Sequence, residues 1–104
     1  MTKAQQLLHL LQQIPSLMDS LGLWQKKAPT PQELASLEPF AVDTLKPEQW
    51  LQWIFLPKME ALIEQGHPLP SGFSITPYFE ECWKLHNEYE PLLKLLASID
   101  EVCS

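Results

Sequence analysis

The sequence contains no arginine, and this absence argues against several functions. All seven basic residues are lysine, against thirteen aspartate and glutamate residues, so the formal net charge is −6. Arginine makes the bidentate phosphate contacts and the base-stacking contacts of many nucleic-acid-binding proteins, and such proteins carry a basic patch or stripe. We therefore predict no direct binding of RNA or DNA. An acidic surface also matches anionic membranes poorly.

Cysteine, glycine and long apolar runs are also scarce. The two cysteines, Cys82 and Cys103, are too few for a disulfide scaffold, and three glycines leave no glycine-rich phosphate loop. The most apolar stretch is interrupted too often by charged residues to span a membrane, and the first residues lack the pattern of a secretory signal. We expect a cytoplasmic protein with free thiols and a single domain over residues 1–104.

The most prominent feature that is present is a tryptophan-rich segment at residues 47–65. Drawn as a helix, it has apolar side chains around most of its circumference, which is typical of a helix enclosed by its neighbours. Pro47 fits the first helical turn, and Gly66 fits the position just after the last one. Pro57 should remove one backbone hydrogen bond and kink the helix. We predict that this helix is the centre of the fold.

The first part of the chain has apolar residues three and four apart, which predicts an amphipathic helix over residues 2–21. Thr2 and Gln5 form a capping-box pattern at its start. Pro15 should kink or break the helix, and Gly22 should end it. The chain should then fold back onto the core.

The segments on either side of the central helix are rich in proline. Before it, a capping-box pattern at Thr30 predicts a short helix over residues 31–37. Residues 40–45 are interpreted as an extended connection that packs on the core. After the central helix, residues 67–76 should form a rigid loop, because proline and glycine restrict the chain to turns.

Two more helices are predicted in the last part of the chain. One runs over residues 77–86, with Phe79, Cys82 and Trp83 facing inward. The other begins at a cap formed by Asn87 and continues to residue 102. The fold class is therefore all-α, an irregular four-helix array with one short extra helix and long proline-rich connections.

A long and irregular set of residues between positions 38 and 81 resembles a known family. The set comprises Pro39-Phe40, Asp43-Thr44, Pro47, Glu48, Trp50-Leu51-Gln52-Trp53, Pro57, Met59, Pro68-Leu69-Pro70 and Pro77-Tyr78. It is similar to the core of the YqcC family of small bacterial proteins. The resemblance implies a compact all-helical fold and no catalytic residue, because the family has no established active site.

Members of that family often carry the name of tRNA pseudouridine synthase C. We interpret the name as an association between neighbouring genes. This chain is too short for the fold of that synthase. The arginine–leucine–aspartate context of the synthase's catalytic aspartate also cannot occur in a chain without arginine.

Few residues are candidates for chemistry. Cys82 and His86 stand four apart, but a metal site needs three or four ligands, and no second pair has ligand spacing. Glu80 and Glu81 would point about 100° apart on a helix and could not face one substrate together. Glutamates near helix starts are more simply solvated charges. We predict no catalytic residue, no metal site and no cofactor.

The aromatic residues are better candidates for recognition, because an exposed aromatic beside a proline-rich loop often anchors a protein interface. Trp50 and Trp53 point about 60° apart on a helix, so both cannot be equally central. Lys58 stands among apolar neighbours and should extend to water or pair with a glutamate. Asp43 is a candidate for capping the hydrogen-bond donors of a turn before the central helix. The candidate interface or pocket residues are Phe40, Asp43, Trp50, Trp53, Lys58, Phe73 and Tyr78.

Three functions are compatible with these features, and the third is disfavoured. The first is a non-catalytic protein-interaction module whose partner is unknown, a basic RNA-modifying enzyme being one candidate. The second is a small-molecule or peptide binder with a pocket between the central helix and the PLPSGF loop at residues 68–73. The third is direct tRNA binding, which conflicts with the charge. The sequence does not indicate an oligomeric state.

Overall fold

The computed structural model describes residues 2–104, and this part of the chain contains helices and turns but no β-strand. The elements are α1 (Lys3–Leu11), α2 (Ile14–Ser20), α3 (Pro31–Leu34), a 3₁₀ turn (Pro39–Ala41), α4 (Pro47–Trp50), a π-helical turn (Leu51–Phe55), α5 (Leu56–Glu64), α6 (Thr76–Cys82), a second 3₁₀ turn (Asn87–Tyr89) and α7 (Glu90–Val102). The predicted all-α array is confirmed, with α1–α2 and α4–α5 each forming one interrupted segment. No helix within residues 2–104 has the length and apolar character needed to cross a bilayer.

The first helical segment follows its sequence pattern closely. The Thr2 hydroxyl accepts a hydrogen bond from the N–H of Gln5, and the Gln5 side chain accepts one from the N–H of Thr2, so the capping box is confirmed. The helix breaks between α1 and α2, because Pro15 has no N–H to offer the preceding turn. One buried stripe nevertheless crosses the break. It consists of Leu7, Leu11, Ile14 and Met18.

The second segment runs without a gap from α4 through the π-helical turn into α5. In the π-helical turn, the N–H of Leu56 donates to the carbonyl of Leu51, five residues earlier. Pro57 comes next and cannot donate to the carbonyl four residues before it. The interruption expected at Pro57 therefore takes the form of a π-helical turn, a feature that often disturbs long helices.

Residues 47–64 are not the enclosed centre that their composition predicted. The buried apolar side chains of this segment are Leu51, Phe55, Leu56 and Met59. Its other face carries exposed charged residues. The helix α7 instead packs against α1, α2 and α6, and its Leu92, Leu96 and Ile99 are completely buried. The distribution of apolar residues around the helix was misleading, because Trp50 and Trp53 are only partly buried, as large tryptophan rings often are.

The segment before the central helix also differs from its prediction. The Thr30–Glu33 capping box is confirmed, but α3 ends at Leu34, where the Thr44 hydroxyl donates to the carbonyl of Glu33. Residues 40–45 are not extended. They begin in a 3₁₀ turn and bury Ala41 and Leu45, which are four apart, so the apparent alternation of apolar residues arose from a turn.

The helix α6, which was predicted over residues 77–86, is shorter than predicted. It ends at Cys82, because Trp83 leaves the helical conformation and packs its ring against that of Phe79 at 5.0 Å. Phe79 and Trp83 form the buried face, and Cys82 lies beside it and is exposed, so its predicted inward orientation is wrong. Asn87 makes no capping hydrogen bond, and a 3₁₀ turn leads into α7 instead.

Asp100 of α7 holds the start of α6. Its carboxylate accepts hydrogen bonds from the N–H groups of Ile75 and Thr76, both at 2.9 Å, and from the Ser74 hydroxyl at 3.1 Å. The N–H of Gly72 donates to the carbonyl of Cys103 at 2.8 Å. The loop between α5 and α6 is thus attached to the end of α7. The predicted rigidity of the loop therefore has a tertiary cause in addition to its prolines.

Gln52 makes a similar long-range attachment. Its side chain is buried, and its amide oxygen accepts from the N–H of Gln25 at 2.8 Å while its amide nitrogen donates to the carbonyl of Gln25 at 2.7 Å. Both polar groups of a buried amide are therefore satisfied. The bonds join the chain after α2 to the π-helical turn.

Replacement of Asp100 by alanine is expected to lower the free energy of unfolding by about 2 kcal/mol, because bonds to charged acceptors and helix caps contribute amounts of this order. Glu101→Ala is the matched control, since Glu101 is an exposed neighbour of the same charge. Urea denaturation measures both variants. Equal stability of the two would show that the carboxylate does not hold α6.

Candidate functional site

A groove lies between the central helical segment and the loop that follows it. Its volume is about 430 Å³, and the described residues that line it are Pro39, Phe40, Trp50, Ile54, Phe55, Lys58, Met59, Pro70, Phe73, Ser74 and Ile75. Trp50, Ile54 and Lys58 are four apart and form a row along the helical segment. A cavity is therefore present at the place that the sequence predicted, between the central helix and the PLPSGF loop.

Aromatic rings form one end of this groove. The ring of Phe40 is stacked on that of Tyr78, with centroids 4.1 Å apart and planes within 11°. It also packs against Trp50 at 4.7 Å. Beneath these rings, Phe79 contacts Phe40, Trp50 and Tyr78. Pairs of this kind contribute about 0.5–1.5 kcal/mol each beyond the burial of their area.

The backbone that carries Phe40 is unusual. Phe40 and Ala41 have φ angles of 57° and 48°, a region that costs residues other than glycine about 1–2 kcal/mol each. The turn around them is closed by hydrogen bonds, since the carbonyl of Ala41 accepts from the N–H of Leu45 at 2.8 Å. The Ser36 hydroxyl also donates to Asp43. A non-glycine residue in this conformation is held there by its surroundings. The wall of the groove that Phe40 forms, called the Phe40 wall below, is therefore present before any partner binds.

The charge of the groove comes from one residue. Of the described residues that line it, Lys58 alone is ionisable, and it is exposed. Within residues 2–104 the close contacts between basic and acidic side chains are Lys84–Glu81 and His86–Glu88, so Lys58 has no carboxylate partner in the described chain. Of the two alternatives predicted for Lys58, the structure shows the extension to water and not the pairing with a glutamate, so its ammonium group is available to solvent or to another molecule.

The phenol of Tyr78 lies behind the Phe40 wall. Partial burial, followed by the Cys82 thiol and the Glu48 carboxylate, raises the pKa of Tyr78 to about 12. Burial disfavours the charged phenolate, so Tyr78 stays neutral at physiological pH. It acts here as a packing surface and shows no sign of an activated acid or base.

The seven candidate residues from the sequence divide between the groove and other places. Phe40, Trp50, Lys58 and Phe73 line the groove, and Tyr78 supports Phe40 from behind. Asp43 is exposed and accepts from Ser36, so it closes the turn before the central helix and does not cap the helix itself. Trp53 lies outside the groove, and its indole N–H is buried without an acceptor in the described chain.

Sequence reasoning missed several lining residues, of which Ile54 is the clearest. Its position four residues after Trp50 and four before Lys58 is a signal that could have identified it. Pro70 was part of the predicted loop, but its approach to the helix depends on the attachment of the loop to α7. That attachment leaves no local pattern in the sequence.

The remaining candidate sites do not assemble. Cys82 is at the last turn of α6 and His86 lies beyond the helix, so their spacing does not place them on one face. Within residues 2–104 no group of three or more His, Cys, Asp and Glu side chains is arranged to hold a metal ion. His86 instead bonds Glu88 at 2.9 Å and stacks on Tyr89.

Another depression lies between α1 and α7, with a volume of about 530 Å³. Its lining includes Lys3, Gln6, His9 and Glu101, which are exposed side chains on two helix surfaces.

At the end of α7, burial and the nearby Asp100 carboxylate raise the pKa of the Cys103 thiol. A thiol with a raised pKa is a poor nucleophile, and it serves here as a small core side chain.

Comparison with known proteins places this chain in a family. The DUF446 family model, described as tRNA pseudouridine synthase C, matches residues 6–102. Similar relatives include an uncharacterized protein of Haemophilus influenzae, which is 44% identical over 92 residues that cover 88% of this chain and 87% of that protein. The uncharacterized protein YqcC of Escherichia coli K12 is 35% identical over 92 residues, covering 88% of this chain and 83% of that protein.

A third relative differs in size. A protein of Pectobacterium carotovorum named tRNA pseudouridine synthase C is 43% identical over 61 residues, which cover 59% of this chain but only 16% of that protein. Most of that protein therefore lies outside the match.

A solved structure agrees with the fold described above. The solution NMR structure of YqcC from E. coli superposes with a TM-score of 0.86 at 31% sequence identity, covering 98% of this chain and 88% of that chain. The arrangement of helices is thus shared over almost the whole length. Since the family model also matches nearly all of the sequence, this chain belongs to the DUF446 family, which includes YqcC.

Proposed function

We propose that this chain is a non-catalytic protein-interaction module, and that its aromatic groove docks on an RNA-modifying enzyme of the tRNA pseudouridine synthase C type. The observation that carries the proposal is the groove itself, an apolar surface with partly buried aromatic side chains and a wall that is formed in advance. Aromatic anchors in a preformed depression are typical of interface centres. Little ordering is needed on binding, which favours affinity.

The choice of partner is supported by the Pectobacterium relative. In that protein, a segment similar to 61 residues of this chain forms 16% of a longer polypeptide named tRNA pseudouridine synthase C. Linking two parts in one chain raises their effective concentration for each other. Such a link is useful when the matched segment and the rest of the polypeptide contact each other. This chain and a separate synthase would correspond to those two parts, so they are candidates for docking.

The charge of the module supports the same partner. An enzyme that binds tRNA needs a basic surface, because phosphate contacts provide most of its affinity for nucleic acid. This chain has a formal net charge of −6. Opposite charges on two proteins accelerate their encounter and exclude wrong partners. The same negative charge explains why the module would bind the enzyme but would not bind the RNA directly.

Docking can be tested with the purified tRNA pseudouridine synthase C of the same organism, immobilised and treated with ribonuclease. The wild-type chain is expected to bind, and Ile54→Glu should weaken binding at least about tenfold, because a charge is buried in the apolar groove. Leu85→Glu is the control, since Leu85 is 86% exposed and lies outside the groove. Equal binding of both variants, or no binding by the wild type, would reject the proposal.

The alternative function is binding of a small molecule or a free peptide in the same groove. Its volume of about 430 Å³ falls in the range of ligand pockets, roughly 300–1,000 Å³. A cavity at this place was also predicted from the sequence, which favours this function as the second candidate.

A thermal-shift screen against metabolites and short peptides separates the two functions. If the alternative holds, a ligand should raise the melting temperature of the wild type and of Tyr89→Ala, but not of Tyr78→Ala, which removes the support of the Phe40 wall. Circular dichroism checks that both variants are folded. A screen without any stabilising compound favours docking on a protein.

A further inference from the structure

We propose that the groove binds an acidic segment of its partner, in which a glutamate or aspartate stands next to a bulky apolar residue, and that Lys58 selects for the carboxylate. This inference rests on the proposed function and specifies the partner's chemistry. It requires two properties of the groove. One is a seat for an apolar side chain, and the other is an unpaired positive charge beside that seat.

The apolar seat is formed by the rings and the helical segment. Trp50 and Phe55 lie 5.4 Å apart between ring centroids, and Phe73 of the loop meets Phe55 edge to face at 6.4 Å. Ile54 and Met59 complete the lining along the helical segment. The volume of about 430 Å³ accommodates a phenylalanine or leucine side chain together with part of its backbone.

The unpaired charge is Lys58. It is exposed in the free chain and has no carboxylate partner within residues 2–104. When a partner segment covers the groove, water is removed from the neighbourhood of the Lys58 ammonium group. A charge that loses water without gaining a counter-ion destabilises the complex. A segment that brings its own carboxylate avoids this loss and adds a charge-assisted hydrogen bond.

The overall negative charge of the chain does not oppose this attraction at short range. The Debye length is about 8 Å at physiological ionic strength, so exposed charges beyond that distance are largely screened. The acidic residue that acts on the aromatic end of the groove is Glu48, through Tyr78. Glu48 stands ten residues before Lys58, about 15 Å along a helix. Lys58 is therefore the charged residue that lines its own end of the groove.

The test uses two matched dipeptides, N-acetyl-Glu-Phe-amide and N-acetyl-Gln-Phe-amide, which differ only in the carboxylate. They are titrated into the full-length ¹⁵N-labelled chain at low ionic strength, and the indole N–H signal of Trp50 is followed, with Trp24 and Trp83 as internal references outside the groove. We expect the glutamate dipeptide to bind about three- to fivefold more tightly, the range of a solvated ion pair. Lys58→Gln should remove the difference, and Lys94→Gln, an exposed lysine of α7, should keep it.

The outcomes separate this inference from the proposed function. Equal affinity of the two dipeptides for the wild type would overturn the role of Lys58, since its ammonium group would then remain in water. Failure of both to shift the Trp50 signal would overturn the apolar seat. If the synthase binds in an Ile54-dependent manner but Lys58→Gln binds it equally well, the docking function stands and this inference is rejected. Carboxylate selection by the wild type that Lys58→Gln removes supports the inference even if the synthase does not bind.

Discussion

The packing of the Phe40 ring between Trp50 and Tyr78 is the contact on which the candidate site depends. It joins three parts of the chain, namely the turn before the central segment, the segment itself and α6. The left-handed conformation of Phe40 and Ala41 costs about 1–2 kcal/mol for each residue. Each aromatic pair contributes about 0.5–1.5 kcal/mol, and Phe40 makes three of them. These contributions are of similar size, so the stacked rings can hold the strained turn in place as one wall of the groove.

Local features of the fold could be read from the sequence, and long-range ones could not. The capping boxes at Thr2 and Thr30 and the helix ends at Gly22 and Gly66 depend on residues a few positions apart, and all four are confirmed. The carboxylate of Asp100 holds α6 from 24 residues away. No sequence pattern marks such a bond, because the donors are backbone N–H groups that every residue except proline carries.

The candidate site shows the same division. Its place between the central helix and the following loop was predictable, because both segments are apolar and the prolines restrict the loop. The role of Ile54 and the choice between water and a glutamate as the partner of Lys58 were not predictable, since each depends on which face of the helical segment is covered. Composition overestimated the burial of the tryptophans and underestimated that of α7, whose leucines form an ordinary amphipathic pattern. Function depends on which apolar surface stays exposed after folding, and the pattern of residues around a helix does not show this.

The most direct measurement is a two-dimensional NOE spectrum of the full-length chain in solution. Ring centroids 4.1 and 4.7 Å apart place the Phe40 ring protons near those of both Tyr78 and Trp50. Cross-peaks from Phe40 to both rings are therefore predicted, which would establish the preformed wall in the unbound protein. A Phe40 ring without cross-peaks to either residue would mean that the wall is absent and that the groove described here does not exist before binding.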